Sequence, residues 1–137
     1  MASTLNVLLT GVSHDILPCL FDKMFKNYTR CNFYILKSWT PDLADMASKY
    51  AYEHFYPVIL SDDDEELKQK LETEKNTAIL CVVSDESDEG ILFLTERAIQ
   101  ISDELNIQSK IYNITTDKFL TKDKFAAFKK ERLRGMS

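Results

Sequence analysis

Glycine, proline and cysteine each occur three times in the 137 residues, and histidine only twice. So few glycines exclude a collagen-like or low-complexity chain. Gly11 stands alone after the first apolar run, where a dinucleotide fingerprint needs three glycines, and no P-loop pattern occurs anywhere. Cys19, Cys31 and Cys81 are widely spaced, odd in number and without a CxxC pair. They give no sign of a disulfide framework or a zinc cluster, and a reducing, cytoplasmic setting is expected. His14 and His54 are too far apart in sequence to supply a zinc motif, so no metal site is expected. No apolar run reaches membrane-spanning length. The first residues also lack the basic and long apolar stretches of a secretory leader, so the membrane is not an expected partner.

The formal charge is -5, and it is gathered into clusters. Asp62 to Glu66 is an unbroken acidic run, and Ser84 to Gly90 carries Asp85, Glu86, Asp88 and Glu89. The last segment is basic, with Lys118, Lys122, Lys124, Lys129, Lys130, Arg132 and Arg134. That tail is too narrow for a nucleic-acid footprint, which needs a broad basic surface. A solvated helix face is the simpler account.

What the chain does have is alternation. Apolar runs at Leu5–Thr10, Cys31–Leu36, Tyr56–Leu60, Thr77–Val83 and Lys110–Ile114 read as strands. Between them lie helical patterns that start near Asp15, at Pro41, near Ser61 or Asp62, and at Ile91. A terminal helix is capped by Thr121 and carries Phe125, Phe128 and Leu133. Pro18 fits a first helical turn, where its missing amide hydrogen costs nothing. Parallel strands need crossovers of this length. The expectation is one α/β domain over residues 1–137, a three-layer, open, mostly parallel five-stranded sheet of Rossmann-like or flavodoxin-like type. Cys81 should be buried in a central strand.

Open parallel sheets bind ligands beyond the carboxyl ends of their strands. Two loops qualify here, Thr10 to Asp15 and Ser84 to Gly90. Gly11, Ser13, Ser84 and Gly90 are the ligand-binding candidates: glycines allow close backbone approach, and serines donate hydrogen bonds. His14, Asp85, Asp88 and Glu96 are the catalytic candidates, with a carboxylate as nucleophile or base. Helix capping and solvent exposure account for the same residues at less cost. The aromatic-rich stretch Trp39 to Pro57 supplies interface candidates in Trp39, Tyr52 and Phe55.

Val7-Leu8-Leu9-Thr10-Gly11 enters a helix, a strand and an Ala/Asp-containing helix follow, and Tyr56-Pro57-Val58 precedes an acidic helix start. With the strand Ala78 to Val83 and its acidic exit, this pattern over roughly Asn6 to Ile99 resembles the N-terminal, Rossmann-like domain that precedes the catalytic domain of ATP-grasp enzymes. The resemblance implies the fold. The nucleotide and magnesium chemistry of those enzymes resides in a separate domain for which this sequence has no room. A second resemblance, carried by the acidic loop with Gly90 and the helix bearing Glu96, is to nucleoside- or nucleotide-processing α/β proteins such as deoxyribosyltransferase-like domains.

No cofactor is specified by these motifs. The leading expectation is a noncatalytic binding or assembly module, a homodimer or protein-partner module that responds to a small ligand. The alternative is a nucleotide- or nucleoside-processing enzyme, with a nucleotide-like small molecule bound at the strand carboxyl ends.

Overall fold

Apolar runs bounded by polar turns fold into a six-stranded sheet covered by helices on both faces. The computed structural model describes residues 4–8, 16–36, 41–73 and 78–136. Strand β1 is Thr4–Leu8, helix α1 Ile16–Lys23, β2 Arg30–Leu36, α2 Pro41–Glu53, β3 Val58–Ser61 and α3 Asp64–Glu72. There follow β4 Ala78–Val83, α4 Glu89–Glu104, β5 Gln108–Asn113, β6 Lys118–Leu120 and α5 Lys122–Met136. A short 3-10 turn, Phe25–Asn27, joins α1 to β2.

The strand order is β3-β2-β1-β4-β5-β6. The first five strands are parallel, and β6 returns antiparallel to β5. This is the doubly wound Rossmann order, with its reversal between β1 and β4, and not the flavodoxin order. The sixth strand corrects the five-strand expectation. It is three residues long, closed through Ile114–Asp117, and that connection holds no glycine. Asp117 instead takes the left-handed conformation, with φ 57°, which aspartate tolerates better than most residues.

Period-two alternation sorts the strand residues between two layers. Leu5, Val7, Cys31, Phe33, Ile35, Leu80 and Val82 pack against α1 and α2 through Leu17, Leu20, Tyr50 and Ala51. Leu8, Tyr34, Leu36, Ile79 and Cys81 pack against α3 and α4 through Leu67, Leu71, Ala98 and Ile101. Phe125 of α5 closes that second face over Ile111 and Val83. Cys81 lies fully buried in the interior strand β4. Burial pushes its thiol up to about 12, so it packs as a small apolar group.

The acidic run has a structural explanation. Asp63 caps α3 by accepting from the Glu66 amide at 2.8 Å, and Glu66 reaches back to the Asp62 amide at 3.2 Å. Three acidic residues then occupy the first turn, where they complement the helix dipole. Thr121 caps α5 through the Lys124 amide, as expected. Helix α4 starts two residues earlier than expected, and it turns Leu92 and Ile99 inward with Thr95 and Ala98. Among the described residues no helix is long and apolar enough to cross a membrane.

Candidate functional site

The sheet reverses winding between β1 and β4, the place where such folds open a crevice. These strands are parallel neighbours, with Val7 opposite Leu80. The chain therefore leaves Leu8 and Val83 at one edge of the sheet. Gly11, Ser13 and His14 lie outside the described residues. On the β4 side, Ser84 to Asp88 form a tightly bonded turn. The Ser84 amide donates to Ser87 Oγ at 2.8 Å, and the Ser87 amide donates to the Ser84 carbonyl at 3.0 Å. The Glu86 amide donates to Ser84 Oγ at 3.2 Å.

The carboxylates on this turn are also engaged. Asp85 accepts from Asn113 Nδ2 at 3.0 Å, while its amide donates to Thr115 Oγ1 at 2.9 Å. Asp88 is the N-cap of α4, accepting from the Ile91 amide at 2.8 Å. Gly90 falls within the first turn of that helix at a negative φ, so no left-handed backbone requires glycine there. Glu96 lies farther along α4, where it pairs with Lys129 of α5. Asp85, Asp88 and Glu96 thus serve a turn, a cap and a helix–helix ion pair. Among the described residues no group of His, Cys, Asp and Glu is placed to hold a metal ion.

A different surface carries unexplained side chains. Helix α2 ends in a Schellman arrangement: the Tyr56 amide donates to the Ala51 carbonyl at 2.8 Å and the Phe55 amide to the Tyr52 carbonyl at 3.2 Å. The left-handed position of this motif, normally glycine, is Phe55 at φ 60°. A left-handed residue with a Cβ costs roughly 1–2 kcal/mol. Phe55 is 94% exposed and Tyr52 83%, and Leu60 is exposed on the adjoining edge strand β3. Trp39 lies outside the described residues.

The neighbouring aromatics are spent on packing. Tyr50 is buried and stacks on Phe33, its hydroxyl donating to the Leu17 carbonyl at 3.2 Å. The His54 ring stacks on Tyr50 with centroids 4.1 Å apart, and its Nδ1 lies 3.0 Å from the Tyr50 carbonyl. Burial pushes the Tyr50 and Tyr56 phenols up to about 12.

Two arrangements were missed in the sequence. At the β5–β6 hairpin, the Tyr112 hydroxyl donates to Asp117, and Lys23 of α1 approaches Asp117 at 3.1 Å and Tyr112 at 3.3 Å. The Tyr112 bond, followed by the Lys23 ammonium, holds the Asp117 carboxyl below the usual range. The second is a polar row on the α3 face of the sheet. Asn32 and Asn6 are register partners on β2 and β1, bonded side chain to side chain at 3.1 Å, and both are buried. Arg30 Nε donates to Asn32 Oδ1 at 2.9 Å. The signal was present: each of these strands holds one asparagine amid apolar residues.

Comparisons of the chain with protein-family models, curated proteins and solved structures found no match.

Proposed function

We propose that this chain is a noncatalytic assembly module that self-associates through the α2–β3 edge of its sheet. The observation that carries this reading is Phe55, 94% exposed and held at φ 60° in a position that glycine occupies without strain. An exposed aromatic there costs backbone energy and brings no packing within the chain. Strained, exposed apolar residues of this kind point to a role outside the fold.

A second copy is the partner that fits best. Among the described residues strand β3 pairs with β2 alone and ends the sheet. An edge flanked by its own apolar side chains is self-complementary about a two-fold axis, where Tyr52, Phe55 and Leu60 of each copy meet. Burying one large apolar side chain contributes roughly 1.5–3 kcal/mol, so a few such residues support a reversible dimer. Lys70 donates to the outward Leu60 carbonyl, which blunts open-ended strand addition and favours side-chain contact over a fibre-like extension. The nucleotide-processing alternative has less support, since Asp85, Asp88 and Glu96 are engaged separately. Molar mass measured by light scattering over a range of concentrations, for the natural chain and for Tyr52→Ser, tests the assembly reading.

A further inference from the structure

A hollow of about 480 Å³ opens between the second half of α3 and the first halves of β2 and β3. It is lined by Arg30, Asn32, Tyr34, Ile59, Lys70 and Thr73, among others. Its volume falls in the range of small-molecule sites. It lies toward the amino ends of the strands, away from the loops where the fold rule places ligands.

The buried asparagines give this hollow its meaning. Central strands of a sheet covered on both faces are expected to be apolar throughout. Asn6 and Asn32 break that pattern side by side, and burying amides is costly unless they are bonded. Two aliphatic residues would fill the same positions without polar groups to satisfy. What the asparagine pair supplies, and aliphatic residues cannot, is a fixed acceptor for Arg30 Nε. With Nε committed, the guanidinium is held at the rim of the hollow, and its terminal nitrogens remain to bind in a fork. Arg30 has no carboxylate partner among the described residues.

Charge narrows the ligand. Lys70, the other cation in the lining, is paired with Glu66 at 2.7 Å, so Arg30 provides the net positive charge. A forked guanidinium matches a carboxylate in two parallel bonds, and a single positive charge matches a monoanion better than a phosphate dianion. Tyr34, Pro57 and Ile59 supply an apolar wall. We propose that this hollow binds a small monocarboxylate with an apolar body, its carboxylate on Arg30 and the Asn6–Asn32 pair acting as positioning residues. The proposal stands independently of the assembly reading.

The test uses the full chain and three probes: 3-phenylpropionate, its neutral amide, and phenethyl phosphate. Titration calorimetry gives affinity, and nuclear magnetic resonance locates the shifts. The carboxylate should bind saturably, shifting Arg30, Ile59 and Thr73, and should bind at least about tenfold more tightly than the amide. Arg30→Gln, a change at an exposed side chain, should weaken it by about tenfold or more, and Arg30→Lys should lose most of that because an ammonium cannot fork. The double change Glu66→Gln/Lys70→Gln, which removes the ion pair and leaves the net charge of the lining unaltered, should change affinity less than about twofold. The proposal is overturned if no carboxylate binding is detected, or if Arg30→Gln leaves affinity unchanged. It is equally overturned if the amide binds as well as the acid, or if the phosphate ester binds more tightly than the carboxylate.

Discussion

The Phe55 amide donates to the Tyr52 carbonyl over 3.2 Å, and that bond sets two almost fully exposed aromatic rings on one turn at the end of α2. The turn places Phe55 where glycine is normally found. Phe55→Gly should therefore stabilise the monomer by about 1 kcal/mol, because it relieves the left-handed strain by more than the entropy that glycine adds to the unfolded chain. Urea unfolding at a concentration low enough to keep the chain monomeric checks this. A loss of stability would mean that the ring is packed in a way its exposure does not reveal.

Asp88 is a cap in this account, without a catalytic role. Asp88→Ala should lower stability by about 1 kcal/mol, the usual cost of losing an N-cap. Asp85→Ala removes the acceptor of the buried Asn113 amide and should cost more, roughly 1–3 kcal/mol. Denaturant midpoints of the two variants decide the order.

Much of this architecture was legible in the sequence. The crossover pattern gave a mostly parallel sheet with helices on both faces, and the run around Cys81 read as an interior strand because its residues are apolar on both faces. Strand β6 was not legible. Lys118-Phe119-Leu120 is too short for a periodic signal, and the hairpin uses Asp117 where a glycine would have announced the turn. Nor could one-dimensional reading pair Asn6 with Asn32, since their contact depends on the register of β1 against β2. Helix capping was already the simpler sequence account of Asp88, and the hydrogen-bond geometry adds that it caps the Ile91 amide and that Ser84 closes the turn with Ser87.

The hairpin cluster makes stability depend on acid. Asp117 is held below its ordinary 3.8 by Tyr112 and then Lys23. Its contribution is therefore present above that value and is lost as pH falls through the lower, folded-state value. Tyr112→Phe should destabilise the protein at neutral pH, and the gap to the natural chain should narrow as the solution is acidified below the carboxylate range. Parallel unfolding curves across that window test it. A gap that stays constant with pH would show that the Tyr112 hydroxyl stabilises the fold without help from the Asp117 charge.

At alkaline pH the buried thiols and phenols take over. Burial raises Cys81 from 9.0 to about 12 and Cys31 from 9.0 to about 11, and raises Tyr50 from 10.0 to about 12. These groups ionise first in the unfolded chain, which then binds fewer protons than the native state. Their contribution is intact below pH 9.0 and is lost as pH rises from there toward about 12. Cys81→Val, of similar size and without an ionisable group, should make this decline shallower. An unchanged slope would place the titration elsewhere.

The assembly reading is tested most directly by molar mass in solution. Light-scattering chromatography of the natural chain, from low to high micromolar loading, should show a mass that rises from the 15.9 kDa monomer toward twice that value. Phe55→Gly should remain at the monomer mass over the same range while folding at least as stably. A natural chain that stays strictly monomeric throughout, or a Phe55→Gly variant that dimerises as well as the natural chain, would contradict the proposal.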